Sequence, residues 1–332
     1  MKISFPYLFI IFCISFLFLN CQGNKSKSVS RMTIAVIPKG TTHEFWKSIH
    51  AGAVKAAREL DVEIIWKGPL KEDDREAQIS VMENFVARNV SGIVLAPLDE
   101  KALVVPVRNA SRAGIPVVII DSGLLGEDYI SFVATDNKLG GRLAGERMAE
   151  LLNGTGKVVL LRYQEGSAST TLRESGFLEV MAENPGIEVV SSNQYAGATT
   201  ETAYQTSENL IAPYRTSDTK LDIDGIFCVN ESSTFGMLRA LQDANLAGKV
   251  HFIGFDSSPK LVEALETGEI DALILQNPFK MGYLGVQTIV AYLNKQPYKS
   301  FIDTGVTLVT LDNLQDPEIR SLVLPDLSKW LN

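Results

Sequence analysis

Residues 91–121 read SGIVLAPLDEKALVVPVRNASRAGIPVVIID, and residues 224–256 read DGIFCVNESSTFGMLRALQDANLAGKVHFIGFD. Each stretch is a short apolar run, a helix-like segment and a second apolar run that ends in an acid. Continuous apolar strands alternating with amphipathic segments belong to a parallel sheet covered by helices on both faces. Ligands of open α/β sheets sit beyond the carboxyl ends of the strands, which makes Asp121 and Asp256 candidate binding acids. Capping a helix is the other common use of an acid at that point. Two copies predict two similar lobes, each offering one acid to whatever lies between them.

The alternation extends outward from both copies. Upstream, Met32–Ile37 reads as a strand and His43–Leu60 as a helix with apolar spacing at Phe45, Ile49, Ala53 and Ala56. Val62–Trp66 is the next strand, and Asp73–Arg88 a helix whose leading acids suit the helix dipole. Between the copies, a strand near Ile130–Ala134 leads into a helix at Asn137–Leu152. Strands at Lys157–Arg162 and Glu188–Ser192 then alternate with helices at Thr170–Ala182 and Glu201–Ile211. Downstream come Pro259–Thr267, Asp271–Leu275 and Pro278–Asn294, then a single final strand at Thr304–Val309. The tail Asn313–Asn332 reads as a short appended wrap.

The N-terminus carries an address. Lys2 precedes an apolar run from Ile3 to Leu19 that ends in Asn20-Cys21. That run is short and poorly flanked for a transmembrane helix and has the form of an export signal. The Phe18-Leu19-Asn20-Cys21 ending resembles a bacterial lipobox, with Asn20 departing from the usual small residue. Residues 1–20 are therefore expected to be a signal peptide and 21–31 a tether lipidated at Cys21; an uncleaved anchor or an ordinary signal peptide is the alternative. The expected address is the periplasm or cell envelope.

Composition narrows the function. The chain of 332 residues is 45% hydrophobic with a net charge of −8, or −9 without Lys2. No Lys/Arg stripe offers a nucleic-acid surface. Of three cysteines, Cys13 falls in the leader, Cys21 at the lipobox and Cys228 in an apolar strand, so no disulfide framework is expected. His43, His50 and His251 have no metal-site spacing, and neither a Gly-x-Ser-x-Gly elbow nor a Walker loop occurs. Neither catalysis, nor a cofactor, nor a metal is expected.

Thr33–Ala57 (TIAVIPKGTTHEFWKSIHAGAVKAA), Ser131–Gly145 (SFVATDNKLGGRLAG), Asn230–Leu241 and Gly254-Phe255-Asp256 resemble type I periplasmic sugar-binding proteins of ABC transporters, the ribose binders and their kin. The resemblance runs from Met32 to Val309 with the motifs in order. It implies two doubly wound parallel-sheet lobes joined by three hinge strands, crossing near Thr135, Gln276 and Gly305. The N-terminal lobe would hold 32–135 plus 277–305, and the C-terminal lobe 136–276 plus 306–332. The implied function is capture of a sugar or polyol for an ABC permease, with ATP hydrolysed by a separate subunit. A sensory or quorum-signal binder serving a chemoreceptor or sensor kinase is the alternative.

A sugar site needs carboxylates that accept from hydroxyls, amides that do both, a cation that donates, and rings that cover C–H faces. The candidates are Lys39, His43, Phe45, Trp46, Asp121, Thr171, Asn230, Asp256 and Gln276. Phe45 and Trp46 are adjacent on a helix, so one of them could serve only the core. His43 stands where relatives often carry Asn, and a surface role is open to it. Ser122 and Thr171 stand where the ribose binders carry ligand arginines, and Ala198 aligns near their closing aromatic. Arg173 matches a different, structural arginine of that family. Ribose itself therefore does not follow, and Lys39, His43, Ser169, Thr170 and Thr171 outline a differently shaped neutral site.

Overall fold

The apolar runs pair into two six-stranded sheets, seen in a computed structural model that describes residues 1–2 and 31–331. The expected leader, Cys21 and nearly all of the tether lie outside the described residues. The first sheet has the order β13-β5-β4-β3-β1-β2 and is parallel throughout. Its strands are β1 (Thr33–Ile37), β2 (Glu63–Trp66), β3 (Gly92–Leu95), β4 (Val117–Ile120), β5 (Ser131–Ala134) and β13 (Phe301–Asp303). The second has the order β14-β12-β11-β10-β6-β7, with β14 alone antiparallel to its neighbour. It comprises β6 (Gly156–Arg162), β7 (Ile187–Tyr195), β10 (Gly225–Cys228), β11 (His251–Phe255), β12 (Ala272–Leu275) and β14 (Thr307–Val309).

Strand side chains alternate faces, so each sheet feeds two cores. Ile34 and Val36 join the core under α1 (Glu44–Glu59) and α9 (Pro278–Leu293), whereas Ala35 and Ile37 join that under α2 (Arg75–Ala87) and α3 (Val104–Arg112). In the second lobe, Phe227 faces the core beneath α4 (Asn137–Leu151) and α5 (Ala168–Glu183). Ile226 and Cys228 face the core beneath α6 (Thr200–Ile211), α7 (Glu231–Asp243) and α8 (Pro259–Glu266). Cys228 is a buried free thiol. A small hairpin, β8 (Arg215–Ser217) with β9 (Lys220–Leu221), decorates this lobe. No helix among the described residues is long and apolar enough to cross a membrane.

The chain passes between the sheets at three places: residues 135–136 after β5, 276–277 after β12, and 304–306 between β13 and β14. The expected final strand Thr304–Val309 is shorter: residues 304–306 form the crossing and only Thr307–Val309 pairs, while β13 just upstream is a strand not expected from the sequence. Gly305, with φ of +88°, lies in this crossing, and β14, which enters the second sheet from the end where β12 leaves it, runs antiparallel to β12. The Thr135 hydroxyl lies 3.2 Å from that of Thr304 and donates to the Gly305 carbonyl at 3.0 Å, tying two crossings together.

In each lobe the helix that follows a crossing is locked against a helix that carries candidate ligand residues. A methyl group on Gly52 of α1 would collide with the Phe279 carbonyl of α9, and one on Gly282 of α9 with the Ile49 carbonyl of α1. The second lobe repeats the device, with Gly141 of α4 against the Arg173 carbonyl and Gly176 of α5 against the Lys138 carbonyl. The tail includes a further helix, α10 (Pro317–Val323), docked on the second lobe by Val323 and an Arg320–Glu266 ion pair of 3.0 Å. It then returns to the first, where Arg58 donates to the Lys329 carbonyl at 2.9 Å.

Candidate ligand-binding site

The carboxyl ends of the two sheets face one another, and the loops there close around a narrow cavity of about 30 Å3. Eight of the nine candidates line it: Lys39, His43, Phe45, Trp46, Asp121, Asn230, Asp256 and Gln276. Thr171 does not. It lies exposed on α5 and is not among the lining residues, whereas Ser169, Thr170 and Arg173 of the same helix face inward. The helical period explains the correction, since a 3.6-residue turn that buries 169, 170 and 173 must expose 171 and 172.

Neither Asp121 nor Asp256 is a helix N-cap. Both have left-handed backbones, with φ of +63° and +67°, at the end of β4 and β11. Asp121 Oδ2 meets Lys39 Nζ at 2.8 Å, with both side chains nearly wholly buried. Lys39 also donates to Ser169 Oγ at 3.3 Å, from one lobe to the other. Asp256 accepts from Gln276 Nε2 at 2.8 Å and from the Glu231 backbone N–H at 3.2 Å. Burial pushes the Asp256 carboxyl up, opposed by Arg173, whose Nη1 stands 4.0 Å away.

Arg173 is held in place by Asn137 Oδ1 and the Val229 carbonyl, both at 2.8 Å, and lies on the Phe255 ring at 3.9 Å. The arginine expected to be structural is therefore both anchored and part of the wall. The Gln276 Oε1 atom is buried and has no donor among the described residues. Asn230 caps α7, accepting from the Ser233 N–H at 3.2 Å and donating to Ser232 Oγ at 3.0 Å, while still lining the cavity.

Three lining residues escaped the sequence reading: Glu72, Tyr163 and Glu231. Glu72 is buried and accepts from Trp46 Nε1 at 2.6 Å, His43 Nδ1 at 2.7 Å and, from the other lobe, Tyr163 OH at 2.7 Å. Burial alone would raise its carboxyl, but these donors hold it below the ordinary range. Burial likewise pulls His43 down, yet Glu72, with Glu231 and Asp256 nearby, lifts it to about 9. His43 is thus a cation at neutral pH with Nδ1 committed to Glu72. Phe45 and Trp46 meet edge to face at 4.9 Å, so both serve the core and the cavity wall.

Tyr163 was legible in principle, since it follows β6 just as Asp121 follows β4. Glu72 sits in the run Lys71-Glu72-Asp73-Asp74, which reads as a solvated charge cluster. Glu231 reads as an ordinary acid in the first turn of a helix.

Residues 34–297 match the periplasmic binding protein domain family. The chain belongs to that family. A carbohydrate transporter solute-binding protein from Agrobacterium radiobacter, solved in complex with D-arabinose, superposes with a TM-score of 0.83 at 34% identity, covering 90% of this chain and 100% of that one. A solute-binding protein from Agrobacterium vitis with bound D-fucose gives 0.83 at 36% identity, covering 88% and 100%. In sequence, the ribose import binding protein of Haemophilus influenzae is 28% identical over 285 residues, 86% of this chain and 94% of its own. Members of the family are binding proteins of transport systems, and the acids of this cleft need no catalytic assignment.

Proposed function

We propose that this periplasmic binding protein captures a small neutral sugar or polyol between its lobes and delivers it to an ABC permease. One observation carries the neutrality. Each cation lining the cavity has its own acid: Lys39 with Asp121, His43 with Glu72, and Arg173 with Asp256. An anionic sugar acid or sugar phosphate would enter a site with no spare positive charge, at a steep desolvation cost. A hydroxyl-rich neutral ligand can donate to the Asp121 and Asp256 carboxylates and to the unpartnered Gln276 Oε1, with Phe45 and Trp46 beside its C–H faces. Similarity to proteins named for, or solved with, pentoses and hexoses supports the substrate class.

Ligand contacts made by both lobes are complete only in the closed form, so binding shifts the population toward closure. The closed pair of lobes is the form a permease would recognise. Attachment to the membrane through acylated Cys21 fits the address read from residues 1–31, and Cys21→Ser should then leave the protein in the soluble fraction with unchanged ligand affinity.

The test is thermal unfolding against neutral pentoses, hexoses, deoxysugars and polyols, beside sugar acids and sugar phosphates. A ligand at 100 times its dissociation constant stabilises the native state by about 2.7 kcal/mol. A shift with a neutral compound upholds the reading; a shift only with an anionic one overturns it.

A further inference from the structure

Helix α1 carries Phe45 and Trp46 into the cavity, yet its own lobe leaves its N-terminus uncapped. His43 occupies the N-cap position without a side-chain hydrogen bond to the helix. The first N–H groups of a helix are orphan donors that need an acceptor, and a negative charge there also meets the positive end of the dipole. The acceptor comes from the other lobe. Glu231, the first residue of α7, takes the Glu44 N–H on Oε1 at 3.4 Å and the Phe45 N–H on Oε2 at 3.1 Å. One carboxylate thus spans two successive orphan donors across the cleft. Its own helix does not need it, because Asn230 and Ser233 form a reciprocal cap at the start of α7.

We infer that Glu231 is a trans-acting N-cap, a closure latch through which the second lobe completes α1 only when the two lobes meet. The inference rests on the two-lobe capture reading, but it concerns what the protein does before any solute arrives. In the open form the Glu44 and Phe45 N–H groups turn to water, and the first turn of α1 loses its protein acceptor. In the closed form that turn is fixed, and with it the two rings of the ligand wall. Glu231 is accordingly a positioning residue that acts through α1. Tyr163 and Glu72 form the matching contact in the opposite sense, with a donor from the second lobe and a carboxylate from the first.

The experiment uses the full-length protein without ligand, with one spin label on an exposed helix position of each lobe. Pulsed dipolar distances give the closed-to-open ratio for wild type, Glu231→Ala and Glu231→Gln. Loss of a cap should lower the ratio in Glu231→Ala about fivefold. Glu231→Gln keeps one accepting oxygen but turns an NH2 donor toward the other N–H, and should recover only part of the ratio. Amide exchange at Glu44 and Phe45 should quicken in Glu231→Ala while exchange in α7 stays unchanged, which a general loss of stability would not produce. Equal closed-to-open ratios in all three proteins, or faster exchange spread evenly over α7, would overturn the inference. No ligand enters the measurement, so failure of the sugar assignment leaves this result readable.

Discussion

Asp121 and Asp256 occupy equivalent places in the two lobes and share an uncommon left-handed backbone, yet their charges are handled differently. Asp121 is bound directly to a lysine of its own lobe at 2.8 Å. Asp256 is met by an amide and a backbone N–H, and its arginine stands back at 4.0 Å. The two copies repeat the turn that aims the acid but not the partner that neutralises it. The first lobe offers a closed ion pair; the second offers a carboxylate with more freedom to take a ligand hydroxyl.

Substitutions separate these roles. Asp121→Ala strands the Lys39 ammonium in a buried setting, and losing one member of a buried pair costs ~3–5 kcal/mol. Chemical denaturation should show that loss even without ligand. If stability is unchanged, the ion pair is not what fixes the first-lobe acid. Asp256→Ala should reverse the pattern, with ligand affinity falling by at least ~2 kcal/mol and unfolding affected less. Calorimetric titration of both variants with the solute found in the thermal screen checks the contrast.

A smaller effect sharpens the comparison through pH. His43 faces Glu72, Glu231 and Asp256, and its pKa rises from an ordinary 6.5 to about 9. A raised pKa gives stability that is fully present below about 6.5 and disappears as pH climbs through about 9. The melting temperature of the wild type should therefore fall between those values, and His43→Gln should flatten that slope. The smallest expected change belongs to Tyr163→Phe, which removes one donor to Glu72 and should cost about 1 kcal/mol in denaturant midpoint. A cost well above that would make Glu72 dependent on the second lobe rather than on His43 and Trp46.

The architecture was legible because strands such as Ile93–Leu95 and Ile226–Cys228 are apolar on both faces and alternate with amphipathic helices, as in a sheet covered on both sides. The bounds of the last two strands were not legible. Thr304–Val309 reads as one strand, but 304–306 form the crossing around Gly305 and only Thr307–Val309 pairs, while Phe301–Asp303 joins the other sheet. In the cavity, residues that end strands were easy to nominate, since position alone recommends them. Glu72 was hidden because its burial depends on His43 and Trp46 at the start of α1 and Tyr163 after β6 converging on it from the two lobes. Thr171 was nominated by alignment with a ribose-site arginine, and the rotation of α5 places it in solvent.

The paired glycines of α1 with α9 and of α4 with α5 bring helix backbones too close for even one methyl group between them. Interiors packed that tightly deform little and pass displacement on undiminished. Each lobe therefore behaves as a stiff lever whose root is its crossing segment and whose tip is the cavity wall. A few degrees of rotation at residues 135, 276 and 305 become ångströms of travel at Trp46 or Arg173. An added Cβ at Gly52 or Gly176 would put slack in the lever, leaving the site chemically intact but poorly coupled to the motion that announces it is full.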